Sequence, residues 1–268
     1  MNERELLRKI ARDYTNLLKE NLVGIYVHGS IAFGCFNWEK SDIDFLVVVH
    51  EEPALPQKEA MIQTLLALEK SGPPKGFEMS VVLRRYCEAF VYPTPYVLHY
   101  SNFYKERCRA DVKTFCRQMN GTDADLAAHF TVTRAVGIAL CGEAKEDLFG
   151  PVPSEYYWES IRMDVENAAE DIIKNPVYTV LNLCRVLAYR KEGLILSKKD
   201  GGVWGQKALP VREHPLVQEA LLCYESEKIF SFDPAQLRRF AADMLARIAG
   251  KGEDLSQRGN MADAGTPQ

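Results

Sequence analysis

Two aspartates stand two residues apart at the start of an apolar run, with Asp42 and Asp44 leading into Phe45–Val49. If that run is a strand, its period of two places both carboxylates on one face. Two like charges held so close are unfavourable unless a cation lies between them, and Mg²⁺ prefers such oxygen ligands, with substrate phosphates completing the shell. The pair therefore predicts a Mg²⁺ site for phosphate chemistry. The alternative for an isolated Asp-x-Asp is a solvated entry to a strand.

A third acid strengthens the metal hypothesis. Glu78 lies in a second apolar run, Phe77–Leu83, where the alternate residues from Phe77 onward share one face and Glu78 and Ser80 share the other. If this run pairs beside Ile43–Val49, three carboxylates converge on one face of a sheet. Such a cluster predicts a two-metal site, or a metal with a general base, for phosphoryl transfer.

The dipeptide Gly29-Ser30 ends the first strand candidate, Val23–Val27. A glycine lets the backbone approach a ligand closely, and Ser30 adds a hydroxyl. If a helix begins there, its free N–H groups favour an anion. By itself the dipeptide is equally compatible with a plain turn.

Gly29-Ser30, the Asp42-x-Asp44 pair and the later Glu78 together resemble the DNA polymerase β-like nucleotidyltransferase superfamily. The likeness continues through Asp125-Leu126-Ala127-Ala128-His129, Leu148-Phe149-Gly150-Pro151-Val152-Pro153, and Ser197-Lys198 with Trp204. In that order these motifs resemble the aminoglycoside adenylyltransferases of the streptomycin 3''- and spectinomycin 9-adenylyltransferase group. The resemblance covers roughly residues 20–250.

The resemblance implies that ATP supplies AMP to a drug hydroxyl. Asp42 and Asp44 match the aspartates that hold one or two Mg²⁺ ions, and Glu78 matches the carboxylate that completes the metal site and acts as the base. The positions expected to bind ATP are Gly29, Ser30, Ser41, Asp125, Lys198 and Tyr224. From the residues alone, Lys198 could equally be an exposed lysine, and Tyr224 could be a core tyrosine.

Two positions bear on the acceptor. Phe103 matches a drug-stacking Trp of streptomycin-modifying members and lacks the indole N–H, and Asn175 matches an Asp and lacks its charge. Both losses disfavour a guanidinium-bearing drug, so we expect a spectinomycin 9-adenylyltransferase. The alternatives are a streptomycin 3''-adenylyltransferase or dual-specificity enzyme, a nucleotidyltransferase acting on a protein, and a non-catalytic binding protein of this fold.

The elements that must position these residues fall into two halves. Helices are expected over 1–20 and 57–70, with strands over 23–27, 43–49 and 77–83; later helices are expected over 125–140, 155–173, 177–190, 215–224 and 234–248. We therefore predict an α/β (α+β) nucleotidyltransferase domain with a small mixed sheet at 1–120. An all-α helical-bundle domain follows at 121–250, and a disordered tail at 251–268.

Composition and charge narrow the possible partners. The 268 residues carry a net charge of −4, which argues against a broad nucleic-acid surface. Residues 121–173 hold eleven acidic and three basic side chains, which suits a cationic drug, and 174–207 hold seven basic and two acidic, which suits phosphates. The seven cysteines form no CxxC pair, and no apolar run reaches a membrane span. We expect a cytoplasmic monomer without a nucleic-acid or membrane partner.

Overall fold

The computed structural model describes residues 2–226, 228 and 230–250, so the predicted tail at 251–268 lies outside the described residues. The chain divides into two compact units, the first ending at Ile161 and the second beginning at Arg162. This division falls later than the boundary expected near residue 120. The reason is that residues 121–161 contribute strands and helices to the first unit.

The first unit is built on a small mixed sheet. Its strands are β1 (Leu22–Val27), β2 (Ile43–Val49), β3 (Phe77–Leu83), β4 (Thr94–Tyr96), β5 (Leu98–Tyr100), β6 (Gly121–Asp123) and β7 (Ile138–Gly142). Within the described residues the main sheet has the order β5-β3-β2-β1-β7, and β4 pairs with β6 in a separate ribbon. The strands β2 and β3 run parallel, whereas the other neighbours in the main sheet are antiparallel. The predicted small mixed sheet is therefore confirmed.

Helices cover both faces of this sheet. They are α1 (Glu3–Leu18), α2 (Gly29–Ala32), α3 (Leu55–Leu68), α4 (Arg84–Glu88), α5 (Lys105–Ala110), α6 (Val112–Gln118), α7 (Leu126–Val136), α8 (Lys145–Leu148) and α9 (Ser154–Met163). The first begins with a reciprocal cap, in which Asn2 Oδ1 accepts the Glu5 N–H at 2.9 Å and Glu5 Oε2 accepts the Asn2 N–H at 3.0 Å.

The central strands are buried on both faces. One face of the sheet packs Phe45 with Ile10 and Tyr14 of α1, and the other packs Leu46 with Phe130 of α7. In both β2 and β3 the second residue is the partly exposed exception, and in each strand it is an acid. The apolar packing on each side thus fixes the strands and leaves one polar position near the start of each.

Two predicted helices differ from the structure. The helix expected over 125–140 is wrong beyond Val136, because α7 ends there and β7 follows as an edge strand beside β1. A side chain at Gly137 would place its Cβ 2.5 Å from the Thr133 carbonyl oxygen, so the chain turns closely at this point. The helix expected over 155–173 is broken by a turn between α9 and the next helix.

The second unit is helical. It contains α10 (Ala168–Lys174), α11 (Pro176–Glu192), α12 (Lys198–Ala208), α13 (His214–Glu225) and α14 (Pro234–Ile248). The helix α11 packs against the other four and buries most of its surface. It approaches α12 closely, since a Cβ at Gly201 would lie 2.7 Å from the Arg185 backbone nitrogen. The expected helical second half is confirmed over this stretch.

All seven cysteines are free thiols, and most of them are buried. Among the described helices, none combines the length and the apolar character that crossing a bilayer requires.

Candidate active site

The parallel pairing of β2 and β3 brings the three predicted carboxylates together. Asp44 lies directly opposite Glu78 in the register, and Asp42 stands one residue before β2. One carboxylate oxygen from each of the three residues lies within 4.8 Å of the others. All three residues are partly buried, so their mutual repulsion is screened less than on an open surface.

The Gly29-Ser30 turn follows β1 and lies against the second aspartate. The His28 N–H donates to the Asp44 carbonyl oxygen at 3.0 Å, which joins the end of β1 to the start of β2. Gly29 has φ +60°, and a Cβ at this position would lie 2.0 Å from Asp44 Oδ2. Glycine is therefore required here, both for its backbone conformation and because the carboxylate occupies the space of a side chain.

Gly29→Ala should displace the Asp44 carboxylate. The added methyl group collides with Oδ2, and the positive φ adds about 1–2 kcal/mol of backbone strain. We expect AMP transfer to fall by about a hundredfold, since a misplacement of about 1 Å can have this effect. Turnover would be measured by pyrophosphate release. Gly34→Ala is the matched control, because it shares the positive φ (+69°) but its Cβ would meet nothing within 4 Å. Equal losses in the two variants would assign the effect to backbone strain.

Ser30 follows Gly29 in α2, close in sequence to the backbone that contacts Asp44. Its Oγ is buried and makes no hydrogen bond to any described residue. Buried hydroxyls are normally satisfied, so this hydroxyl is available to a polar ligand.

A histidine that the sequence analysis did not select lies beside the carboxylates. His129 Nε2 is 3.4 Å from Asp125 Oδ2 and 4.0 Å from Glu78 Oε1. Asp125 precedes α7, and the spacing of four residues brings His129 back over it on the helix. The signal was present in the quoted Asp125–His129 motif, but nothing in one sequence showed that this helix turn faces Glu78.

Burial and the neighbouring charges perturb the titration of these groups. Burial raises the pKa of Glu78, His129 lowers it, and the other carboxylates raise it again. Burial alone would favour a neutral His129, but the hydrogen bond to Asp125 and the surrounding carboxylates raise its pKa to about 10. The adjacent His28 ring, 4.6 Å away between centroids, has a pKa well below its usual value because of burial and the charge of His129.

The carboxylate cluster fits a hard divalent cation. Three carboxylates within 4.8 Å supply an all-oxygen donor set that is typical of Mg²⁺ sites in phosphoryl-transfer enzymes. Burial is the main cause of the raised pKa of Glu78, and repulsion by Asp42 adds to it. A cation between the carboxylates would favour the ionised form of all three.

The other predicted ATP-binding residues are distributed over both units. Ser41 is buried just before β2, where its Oγ accepts the Asn37 N–H at 3.3 Å. Asp125 contacts His129, which in turn lies beside Glu78 of the three carboxylates. Lys198 is the first residue of α12, with its Nζ 4.6 Å from the Tyr178 ring centroid, and Tyr224 lies in the last turn of α13; both belong to the second unit.

The two predicted drug-binding residues lie in different surroundings. Phe103 is 87 % exposed in a single 3₁₀ turn, where its ring packs edge-on against Tyr104. Asn175 joins α10 to α11 and lines a cavity of about 190 Å³ within the second unit. The same cavity is lined by Asp164 and Asp171, and by Asn182, whose buried amide oxygen and nitrogen make no hydrogen bond to described residues.

The fold of the chain is shared with a solved structure. The spectinomycin adenyltransferase AAD(9) of Enterococcus faecalis, crystallised with ATP and spectinomycin, superposes with a TM-score of 0.76 at 20% identity, covering 92% of this chain and 100% of that one. The common architecture is a mixed-sheet nucleotidyltransferase domain followed by helices. The likeness shows the nucleotidyltransferase fold, and in this chain three carboxylates lie near the start of its neighbouring strands β2 and β3.

Sequence comparison indicates which nucleotidyltransferases the chain resembles. Residues 147–247 match the family described as aminoglycoside adenylyltransferase, C-terminal domain. An Escherichia coli aminoglycoside (3'') (9) adenylyltransferase is 27% identical over 87% of this chain and 91% of its own length. A Staphylococcus aureus spectinomycin 9-adenylyltransferase is 27% identical over 82% and 83%. The chain is therefore similar to the aminoglycoside adenylyltransferases over most of its length.

Proposed function

We propose that this protein transfers AMP from ATP to a hydroxyl of an aminocyclitol or aminoglycoside antibiotic, with spectinomycin, modified at its 9-hydroxyl, as the preferred acceptor. The observation that carries the proposal is the register of Asp44 opposite Glu78, which completes a three-carboxylate cluster beside the Gly29-Ser30 turn. Its presence in a chain similar to the aminoglycoside adenylyltransferases supports a catalytic role over a binding role.

In the proposed reaction the acceptor hydroxyl oxygen attacks the α-phosphorus of ATP. The bond from that phosphorus to the oxygen bridging to the β-phosphate breaks, and pyrophosphate leaves. Glu78 accepts the proton of the attacking hydroxyl. Its position directly opposite Asp44, within the cluster of three carboxylates, supports this role.

Asp42, Asp44 and Glu78 would hold Mg²⁺, as one or two ions. When bound, the metal would neutralise part of the triphosphate charge and polarise the phosphoryl group. Ser30 would donate its unpartnered hydroxyl to a phosphate oxygen. Ser41 and Asp125 would complete the nucleotide site of the first unit.

The second unit would contribute Lys198 and Tyr224 to ATP binding. Lys198 opens α12 in the basic stretch of the chain, and an ammonium group is a mobile point charge suited to phosphates. This role belongs to the wider proposal that the helical region 121–250 is the substrate-binding domain. The family match over 147–247 supports that proposal.

The cavity of the second unit is suited to the amines and hydroxyls of the acceptor. It combines two carboxylates, Asp164 and Asp171, with the unpartnered amide of Asn182. Asp164 is already bonded to Arg185 at 2.9 Å, so part of its charge is neutralised. The neutral side chain of Asn175 removes a charge that a guanidinium group would need, which favours spectinomycin over streptomycin.

The exposed ring of Phe103 supports the same preference. It offers a stacking face but no indole N–H to a drug. We also propose that the enzyme acts in the cytoplasm, because ATP is a cytoplasmic substrate. We further propose that it is a monomer and has no nucleic-acid or membrane partner.

A panel of acceptors tests the proposal. Purified protein, ATP and Mg²⁺ would be incubated with spectinomycin, streptomycin, other aminoglycosides or no drug, with pyrophosphate release and mass detection of the AMP adduct as readouts. We expect an adduct with spectinomycin and a weaker signal with streptomycin. Adduct formation with streptomycin alone would refute the stated preference, and no adduct with any drug would refute the function.

Asn175→Asp should shift this preference toward streptomycin. The substitution places a carboxylate in the cavity, and an exposed or partly buried pairing with a guanidinium is worth about 1.5 kcal/mol, or about tenfold in kcat/KM. The Asn175 side chain makes no capping hydrogen bond to α11, so no cap is lost and the free energy of unfolding should change little. The ratio of kcat/KM for the two drugs is the measurement. Asn175→Ala is the control: it adds no charge, so it should not shift the ratio toward streptomycin. An unchanged ratio in the Asp variant would contradict the assignment.

A further inference from the structure

The general base proposed above has one basic neighbour among the described residues. His129 Nε2 lies 4.0 Å from Glu78 Oε1, at the limit of an ion pair, and within the described part of the chain no Lys or Arg is paired with this carboxylate. Glu78 is on a strand and His129 is on α7, so the contact joins two elements that are far apart in sequence.

The histidine is itself held from several sides. Its Nε2 is 3.4 Å from Asp125 Oδ2, while the other oxygen of Asp125 accepts a hydrogen bond from Ser160 Oγ at 2.6 Å. The ring packs against His28, with centroids 4.6 Å apart, and His28 is almost fully buried at the end of β1. The His129 side chain is only 14 % exposed. The contact of Nε2 with Asp125 and the packing against His28 hold the ring beside Glu78, whereas the buried Nδ1 makes no hydrogen bond to any described residue.

We propose that His129 is a positioning residue for Glu78: fixed by Asp125, Ser160 and His28, it orients the carboxylate toward the acceptor hydroxyl. The inference rests on the proposed function, since it assigns to His129 the alignment of the proposed base. Because it is the geometry of the Nε2 donor that orients Glu78, a side chain with a donor at the same place should substitute for histidine.

The contacts of His129 also distinguish a positioning role from a role in packing the core. A histidine needed only to fill space could be replaced by leucine without an effect on turnover. His129 instead directs a ring nitrogen at two carboxylates that lie on different elements. Removal of that nitrogen frees Glu78 to adopt other rotamers, and a misplaced catalytic group loses about a hundredfold in rate.

Three variants test the inference at saturating Mg²⁺, ATP and spectinomycin. His129→Leu should lower kcat by about a hundredfold and leave the KM of ATP and of the drug within about twofold. His129→Gln, whose amide nitrogen can donate from a similar position, should recover most of the loss. His50→Leu, at an exposed position after β2, is the matched control and should match the wild type. Equal kcat for His129→Leu and wild type would overturn the inference, as would equal losses in the Leu and Gln variants.

A double-mutant comparison isolates the action through Glu78. In a Glu78→Gln background the base is absent, so His129→Leu should lower the residual rate by less than about twofold. A further hundredfold loss would show that His129 acts on its own and would overturn the inference.

Crystal structures of wild type and His129→Leu give a readout that does not depend on the acceptor. We expect the Glu78 carboxylate to leave its wild-type rotamer when His129 is removed, and an unchanged rotamer overturns the inference. A wild-type enzyme that modifies no drug would instead refute the proposed function, so the two failures are distinguishable.

Discussion

Asp44→Asn should abolish AMP transfer. Asp44 is the acid that faces Glu78 across the strand pair, and its carboxylate lies against the Gly29 backbone. An amide keeps the shape of the side chain but removes one of three negative charges that would hold Mg²⁺. Metal coordination contributes several kcal/mol to charge stabilisation in the transition state, so we expect kcat/KM to fall by at least about a thousandfold. The measurement is pyrophosphate release with spectinomycin over a range of Mg²⁺ concentrations.

Stability gives Asp44→Asn a second readout. The three carboxylates repel one another when no metal is bound, whereas Asp44 also stabilises the charged form of His129. Because these effects oppose each other, removing the Asp44 charge should change the stability of the metal-free protein little. We expect its Tm without Mg²⁺ to stay within roughly 2–4 °C of the wild type, which corresponds to about 1 kcal/mol. A Mg²⁺-dependent rise in Tm, expected for the wild type from linkage, should be lost.

Asp147→Asn is the matched control for this experiment. It makes the same chemical change at an exposed position on α8, away from the triad, and should retain both turnover and the response to Mg²⁺. Full activity of Asp44→Asn would contradict the assignment of the triad as the metal site. A large drop in Tm without Mg²⁺ would show that the carboxylate has a structural role.

The core of the candidate site could be predicted because short-range rules decide it. The bounds of β2 and β3 match the two apolar runs, since strands buried on both faces read as continuous apolar segments with one conspicuous acid each. Once these strands pair in parallel, the acid at the second position of one must face the acid at the second position of the other. Period and register were enough to bring Asp44 and Glu78 together.

The edge strand β7 could not be predicted by the same means. Its residues, Ile138–Gly142, continue an apolar periodicity that also suits a helix, and their pairing with β1 is a contact between distant parts of the chain. The one local signal was Gly137, which ends α7. Because β7 was not predicted, the expected boundary near residue 120 lies earlier in the chain than the division after Ile161.

A capping signal would have located α12. Ser197 Oγ accepts the Asp200 N–H at 2.9 Å, and the Ser-x-x-Asp spacing is a recognisable helix start. The glycines that follow hid it, because Gly201, Gly202 and Gly205 lower helix propensity. Tertiary packing explains them, since they let α12 approach α11 closely. The contact of His129 with Glu78 was beyond reach for a different reason, because it depends on how α7 packs on the sheet.

Glu78→Gln tests the base directly and should mainly lower kcat. The amide oxygen can still face a metal, but the amide cannot accept the proton of the attacking hydroxyl. Loss of a general base lowers rates by about 10²–10⁴-fold, so we expect a kcat decrease in that range with the KM of ATP within about threefold. Steady-state kinetics with spectinomycin and single-turnover experiments under saturating ATP measure the chemical step.

The control for Glu78→Gln should make the same Glu-to-Gln change outside the three converging acids and leave Glu78 in place. Glu88→Gln serves this purpose, because Glu88 is on α4, paired with Arg84 at 2.8 Å, and is not one of the three converging acids. We expect it to match the wild type in kcat. If Glu78→Gln kept full kcat, Glu78 would not be the base. If kcat were unchanged and only the KM of ATP rose, Glu78 would act in nucleotide binding, since an interaction made equally in the ground state and the transition state changes KM without changing kcat.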